Sequence, residues 1–148
     1  MLRQGFETRS LRMEPMLTVR IPAPSEDIDR IMAEVCRIVP LALGAYDSNA
    51  FVTAPGIERY RPLAGAVAGP ETEVRQRPGV VEISFQMPQD QALLEEVLEK
   101  IYEVHSYQEQ VIKVEEVLVS RTKGRDDRAN PNRWWNTTGD WKRKQDAS

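Results

Sequence analysis

Cysteine and histidine are nearly missing from this chain of 148 residues, which contains one of each, Cys36 and His105. A single cysteine excludes an intrachain disulfide bond and a zinc cluster built from cysteines. A single histidine excludes, within one chain, any metal centre that needs several imidazole ligands. It also leaves only one histidine that could act as a catalytic base, and the G-x-S-x-G elbow of the serine hydrolases does not occur in the sequence.

Long apolar runs and nucleotide-binding motifs are also missing. No segment approaches the length of a membrane span, so we expect no membrane partner. The first fifteen residues, MLRQGFETRSLRMEP, lack the apolar stretch of a secretory signal, and a cytoplasmic location is therefore expected. Neither G-x-x-x-x-G-K-[ST] nor G-x-G-x-x-G occurs, so no standard phosphate-binding loop is predicted.

The charge is divided unevenly along the chain. Residues 121–148 carry eight Lys or Arg and four Asp or Glu, a net of +4, so the total of −3 leaves −7 on the other 120 residues. All three tryptophans, Trp134, Trp135 and Trp141, lie in this basic tail. Arginine and tryptophan together can stack on single-stranded bases. Because the body is acidic and tryptophan is a frequent interface residue, we favour a tail that packs at a subunit interface, and nucleic-acid binding is the less favoured alternative.

Apolar periodicity predicts strands and helices in alternating order. A period of two predicts strands at residues 17–21, 81–87 and 111–120, the last with a bulge at Glu115-Glu116. Shorter strands are predicted at residues 46–53 and 59–63. Helical spacing of apolar residues predicts helices over 28–39 and 93–104, with Asp90 as the N-cap of the second.

This order predicts an α+β fold, the ferredoxin-like βαββαβ sandwich, in which one antiparallel sheet is covered on one face by two helices. The predicted organisation is a flexible N-terminal arm (residues 1–15), a ferredoxin-like domain (16–120) and the basic tail (121–148). The uncovered sheet face should carry polar residues and meet either water or another subunit. Its predicted members are Thr18, Arg20, Glu82, Ser84 and Gln86.

Four separate segments resemble one known family. Gly44-Ala45-Tyr46-Asp47-Ser48-Asn49-Ala50-Phe51 resembles the G-x-Y-D-x-C-x-F segment of the domain inserted in the Nif-three-like (NGG-interacting-factor-three-like) proteins. The same domain has counterparts of Arg61-Pro62-Leu63-Ala64-Gly65-Ala66, of Glu82-Ile83, and of His105-Ser106-Tyr107-Gln108-Glu109. The resemblance covers about residues 17–120. It implies a free-standing version of that insert, which is related more distantly to CutA and to the nitrogen-regulatory PII proteins.

The resemblance also implies what the chain has lost. Ser106 and Gln110 stand where the family has proline, Gln108 stands where it has glutamate, and Asn49 stands where it often has cysteine. The full-length family binds two metals through several histidines in flanking domains, and a chain with one histidine cannot hold that site. The CutA and PII relatives form trimers, so the resemblance implies a homo-oligomer, with a trimer favoured and a dimer as the alternative.

The candidate ligand-binding residues are Tyr46, Asp47, Arg61, His105, Tyr107 and Glu109. His105 and Glu109 are also the candidate ligands of a divalent metal ion, the cofactor we consider, although two ligands make a poor site unless a second subunit completes it. The competing interpretation is that His105 ends the second helix and bonds backbone carbonyls. For Tyr46 and Asp47 the competing interpretation is turn chemistry.

The sequence predicts a non-enzymatic binding or regulatory module with an unknown ligand. No catalytic residue is assigned. The first alternative is an accessory protein related to dimetal hydrolase-like enzymes. The second alternative is nucleic-acid binding through the Trp, Arg and Lys residues of the tail.

Overall fold

The computed structural model describes residues 4–124 and 127–137. Its strands are β1 (Phe6–Glu7), β2 (Leu11–Pro24), β3 (Phe51–Val52), β4 (Gly56–Tyr60), β5 (Arg75–Pro88) and β6 (Lys113–Thr122). Its helices are α1 (Ile28–Ile38) and α2 (Gln91–Val104), and two 3-10 turns lie at Ser25–Asp27 and Trp134–Asn136. Trp141 lies outside the described residues.

The six strands form one antiparallel sheet with β2 and β5 at its centre. β2 pairs with β5 on one side and with β6 on the other, and β5 pairs with β3 and β4 on its far side. The two-residue strand β1 pairs with the N-terminal part of β2. Together with the two helices, this order is the ferredoxin-like sandwich that the sequence predicts, which confirms the fold class.

The core lies between one sheet face and the two helices. Alternate residues of β2 and β5 point to the helices because side chains of a strand alternate between the two faces. They are packed against the apolar stripes of α1 and α2. The fully buried members are Val19, Ile21, Ala23, Ile31, Val35, Ile83, Phe85, Met87, Val97 and Ile101. The N-cap prediction for α2 is confirmed, since the Asp90 side chain accepts a hydrogen bond from the Leu93 amide at 3.1 Å.

The opposite sheet face carries the polar residues that the sequence predicts there. Arg20 forms an ion pair with Glu115 of the neighbouring strand at 3.1 Å and approaches Glu82 at 4.0 Å. Thr18 is only 5% exposed and accepts a hydrogen bond from the Gln86 side chain at 3.3 Å. This face therefore consists of cross-strand polar links rather than of a second apolar layer.

The central strand is longer than the apolar pattern indicates. Residues 11–15, which the sequence assigns to the flexible arm, belong to β2 and pair with the end of β6, where Pro15 faces Leu118. The register stays continuous from Leu11 to Arg20. Backbone pairing with β6 needs no apolar alternation, so the polar segment gives no sequence signal of the strand. The strands of the sheet therefore begin before residue 16 and end after residue 120.

Three local predictions are wrong. No bulge occurs at Glu115-Glu116, because both residues pair in register with Thr18 and Leu17; the register shift lies instead in β4, between Gly56 and Glu58. The predicted strand at 46–53 is reduced to Phe51–Val52, since a turn occupies the residues before it. The returning strand is Gly56–Tyr60 rather than 59–63, and it pairs with β5.

Candidate functional site

His105 ends α2 and holds the chain that follows it against the sheet. Its backbone amide donates to Ile101 in the last turn of the helix at 2.9 Å. Its ring Nε2 lies 2.8 Å from the carbonyl oxygen of Pro22 at the end of β2. Its Nδ1 accepts a hydrogen bond from the Tyr107 amide at 3.0 Å. A carbonyl only accepts and an amide N–H only donates, so this pattern fixes a neutral imidazole with its proton on Nε2.

Both ring nitrogens of His105 are therefore in use, and the side chain is only 7% exposed. This is the geometry of the competing interpretation, in which the imidazole bonds the backbone. A metal ion on His105 would require the ring to release Pro22 or Tyr107. Among the described residues, no group of three or more His, Cys, Asp or Glu side chains is arranged to hold a metal ion. The metal role of His105 and Glu109 stays a prediction.

Asp27 is a buried acid that the sequence does not mark as a candidate site residue. Its side chain is almost completely buried, yet it is an acid that bonds two donors of Ser106 and the guanidinium of Arg30. Burial raises the pKa of Asp27, but the hydrogen bonds from Ser106 and the charge and hydrogen bond of Arg30 outweigh it and hold that pKa below its usual value. The carboxylate is thus kept ionised inside the fold.

Tyr107 lies on the β4–β5 pair, in a cluster with side chains of both strands. The Arg77 guanidinium lies 5.4 Å from the centre of the Tyr107 ring, and the His105 ring centre is 4.7 Å from it. The Tyr107 hydroxyl is buried beside the Glu58 carboxylate without a hydrogen bond of normal geometry. Burial raises the pKa of Tyr107 to about 12, and the negative charge of Glu58 adds to the shift while Arg77 opposes it.

Gln108 and Gln110 fix the backbone on either side of Glu109. The Gln108 amide donates to the Gly65 carbonyl at 3.1 Å and accepts from the Val67 amide at 2.9 Å, so it holds the loop between β4 and β5 with both of its polar atoms. The Gln110 amide donates to the Tyr107 carbonyl at 2.6 Å. The family departures at positions 106, 108 and 110 therefore each supply a hydrogen bond in this chain.

Tyr46 and Asp47 lie in a tight turn after α1. Leu43 and Tyr46 pair across the turn, Ser48 has a left-handed backbone with φ of 57°, and its hydroxyl lies 3.3 Å from Asp47 Oδ1. The Asn49 side-chain amide donates to the carbonyls of Leu41 and Tyr46 at 2.9 and 3.0 Å. These hydrogen bonds within the turn agree with the competing interpretation of turn chemistry. They leave the Tyr46 side chain 74% exposed.

The predicted ligand residues divide into two groups at opposite ends of α1. His105 and Tyr107 lie at the start of that helix, where Asp27 bonds Ser106. The turn with Tyr46 and Asp47 lies beyond its end, where Ser48 bonds the carbonyl of Pro40. An α-helix of eleven residues is about 16 Å long at 1.5 Å per residue. One protomer therefore does not bring all of these residues into one small site.

Arg61 and Glu109 belong to the His105 side of the molecule, and both are exposed. Arg61 follows directly on β4, whose Glu58 lies beside Tyr107, and Glu109 lies between the two glutamines that fix its backbone. The tail residues Trp134 and Trp135 are 63% and 45% exposed within one protomer. In the described part of the chain, no helix is long and apolar enough to cross a membrane.

The fold places the chain among the PII/CutA-like ferredoxin sandwiches. A Bacillus cereus protein related to NIF3 has 18% sequence identity and a TM-score of 0.60, and the match covers 74% of this chain but 28% of that protein. The divalent ion tolerance protein CutA1 of Ehrlichia chaffeensis has 15% identity and a TM-score of 0.52, with coverage of 77% and 87%.

A nitrogen regulatory PII-like protein from Thiomonas intermedia has 14% identity and a TM-score of 0.47, with coverage of 74% of this chain and 97% of that one. No protein-family model and no curated protein matches the sequence. The chain spans little more than a quarter of the Bacillus cereus protein. At these identities the likenesses to the Bacillus cereus and Ehrlichia chaffeensis proteins, with TM-scores of 0.60 and 0.52, define the fold and confirm the predicted type of domain.

Proposed function

We propose that the protein is a non-enzymatic binding module that acts as a cytoplasmic homo-oligomer, with a trimer as the preferred assembly, and that it binds a small ligand or a divalent cation between subunits. One observation carries the proposal. The two groups of predicted ligand residues lie at opposite ends of α1 within a protomer, so a site that uses both groups needs a second subunit to bring them together.

Together the two groups offer side chains that suit either a divalent cation or a small organic anion. Asp47 and Glu109 are exposed carboxylates, and carboxylate oxygens suit divalent cations. Tyr46 and Arg61 add an exposed aromatic ring and a fixed positive charge, which suit a small organic anion. The description of the Ehrlichia chaffeensis relative as a divalent ion tolerance protein makes a divalent cation the first probe. His105 supports the site by fixing the backbone that leads to Glu109.

The test combines the mass of the assembly with metal binding. Light scattering and native mass spectrometry measure the oligomer, and calorimetry follows Cu²⁺ and Zn²⁺ added to the wild type and to Asp47→Asn and Glu109→Gln. The expected result is an oligomer that binds a cation more weakly in either variant. Asp29→Asn, an exposed acid at the start of α1, is the matched control and should bind as the wild type does.

The result that overturns the proposal is a monomer that binds neither ion. A stable dimer would correct the trimer. Imidazole nitrogen signals of His105 during the Zn²⁺ titration decide its role, since direct coordination displaces one of its two backbone hydrogen bonds and moves those signals. The alternative of an accessory protein of dimetal hydrolase-like enzymes has only the fold likeness to the Bacillus cereus protein as support.

A further inference from the structure

The two described tryptophans of the tail have different surroundings. The Trp135 indole donates to the carbonyl of Arg128 at 3.1 Å, and its ring lines a cavity beside Leu11 and Thr122, at the end of the β2–β6 pair. The Trp134 side chain is 63% exposed and makes no indole hydrogen bond with the described residues. Trp135 therefore faces the body of the domain across this cavity, and Trp134 points to solvent.

Hydrogen bonds within the tail fix the turn that presents Trp134. The Asn136 side chain donates to the Asn130 carbonyl at 2.7 Å, and the Thr137 hydroxyl donates to the Trp134 carbonyl at 2.7 Å. Arg133 forms an ion pair with Asp127. An exposed indole on a turn that is already ordered loses little conformational entropy when it binds, which favours a docking role.

A shallow groove of about 240 Å³ lies at the other end of the sheet. Its lining is mainly apolar and includes two acidic residues. The lining includes Pro22, Ile57, Val80 and Val81 together with Glu58 and Glu82. Ile57 lies at the register shift of β4 and is 64% exposed, so an apolar side chain of this groove is open to a partner.

The groove and Trp134 cannot meet within one chain. The tail adjoins Leu11 at one end of β2, whereas the groove adjoins Pro22 near the other end of the same strand. Eleven residues of extended strand separate these points by about 35 Å at roughly 3.3 Å per residue. Trp134 therefore reaches such a groove only on another copy of the chain.

We propose that Trp134 of one copy docks into the Ile57 groove of a second copy. The apolar indole matches the mainly apolar lining of the groove, and the tail carries a net charge of +4 against −7 on the rest of the chain, which includes Glu58 and Glu82 of the groove. Because the two surfaces differ, the contact is head-to-tail, and it closes into a ring when the rotation between copies allows. The proposal rests on the homo-oligomer of the proposed function and names one of its contacts.

Complementation between two variants tests this contact. Trp134→Ala removes the indole and keeps the groove, whereas Ile57→Lys spoils the groove and keeps the indole. Each variant alone should associate at least about tenfold more weakly than the wild type, as for an interface anchor. An equimolar mixture should recover heterodimers, because the groove of the first variant accepts the tail of the second. Tyr102→Ala, which removes another exposed aromatic ring, is the matched control and should associate normally.

A photo-crosslinking residue at position 134 gives an independent readout in an otherwise unchanged chain. The expected product is an intermolecular crosslink to residues 53–58, identified by peptide mass spectrometry. Unchanged association of both variants together with crosslinks elsewhere overturns the contact and leaves the homo-oligomer standing. A wild-type monomer overturns both. If Trp134→Ala instead abolishes salt-dependent binding to single-stranded DNA with association unchanged, the tail is a nucleic-acid surface and the contact is overturned.

Discussion

The hydroxyl and the backbone amide of Ser106 both donate to the same carboxylate oxygen of Asp27, at 2.6 and 3.0 Å. The other Asp27 oxygen lies 2.7 Å from the Arg30 guanidinium, and Arg30 also donates to the carbonyl of Val104 at 2.7 Å. These residues, which we name the Asp27 latch, join the start of α1 to the end of α2. The latch fixes the segment in which His105 and Tyr107 lie.

Asp27→Asn should destabilise the protein by about 2 kcal/mol in urea unfolding. The amide keeps the shape of the side chain but removes the charge that binds Arg30, and its NH₂ group is a donor where one carboxylate oxygen accepted. Hydrogen bonds to charged groups contribute about 1.5–3 kcal/mol each, and the partial exposure of Arg30 reduces the ion-pair part. Asp29→Asn, on the exposed side of the same turn, should change the free energy of unfolding little. Equal stabilities for the two variants would show that the latch contributes nothing.

The advantage of the wild type over Asp27→Asn should depend on pH. The pKa of Asp27 in the folded state lies below its usual value, so folding favours the ionised form. That stabilisation is fully present above the pKa of the unfolded chain, near 3.8, and is lost as the pH falls through the lower pKa of the folded state. Urea unfolding of both proteins at neutral pH and at steps below pH 4 measures the difference. A difference that stays constant over this range would contradict an ionised Asp27.

Tyr107→Phe should leave the protein as stable as the wild type or more stable by about 1 kcal/mol. The hydroxyl is buried without a hydrogen-bond partner of normal geometry, and a buried unsatisfied polar group costs about 1–3 kcal/mol. Phenylalanine keeps the ring that contacts Arg77 and His105. Urea unfolding measures the change. A loss of more than about 1 kcal/mol would mean that Glu58 or a bound water satisfies the hydroxyl.

Alkaline titration tests the surroundings of the same hydroxyl. Because burial raises the pKa of Tyr107 to about 12, its ionisation should appear near pH 12 in the ultraviolet absorbance of tyrosinate and should disappear in Tyr107→Phe. The pKa of Tyr107 is higher in the folded state than in the unfolded chain, so folding favours the protonated hydroxyl. The stability of the wild type relative to Tyr107→Phe should therefore be constant below pH 10 and should fall as the pH rises from 10 through 12. Ionisation of Tyr107 near pH 10 would show that water reaches the hydroxyl.

The fold could be predicted because its signals are local. Val19 and Ile21 alternate with polar neighbours, as do Ile83 and Phe85, since one face of each strand packs on the helices. The extension of β2 into residues 11–15 has no such signal. It depends on backbone pairing with β6, a strand about a hundred residues further along the chain.

The interior of the candidate site could not be predicted, because its contacts join distant segments. Asp27 and Ser106 are 79 positions apart, and nothing near Asp27 distinguishes it from an ordinary acid at a helix start. In sequence, Ser106 and Gln108 look like losses from the family pattern. In the structure they are hydrogen-bonding residues whose partners lie in the turn before α1 and in the β4–β5 loop. The sequence shows which side chains can form hydrogen bonds, but it does not show which residues they bond to.

Gln108→Ala should loosen the loop between β4 and β5 without unfolding the domain. Gln108 is the side chain that bonds the loop at Gly65 and at Val67, and the Val67 side chain itself is 89% exposed and adds no packing. One hydrogen bond contributes about 1 kcal/mol, so hydrogen exchange of the Val67 amide should accelerate roughly fivefold to tenfold.

The Gly69 amide, which bonds the backbone of Ala66 at 2.9 Å, is the internal reference within the same loop. It should change less than the Val67 amide if Gln108 acts through its own bonds, and equally if the whole loop opens. Gln91→Ala, an exposed glutamine at the start of α2, is the matched control and should leave both amides unchanged. Because Gln108 is next to Glu109, the Gln108→Ala change should also weaken the binding of any ligand that Glu109 helps to bind. Unchanged exchange at Val67 in Gln108→Ala would show that the loop holds its conformation without this side chain.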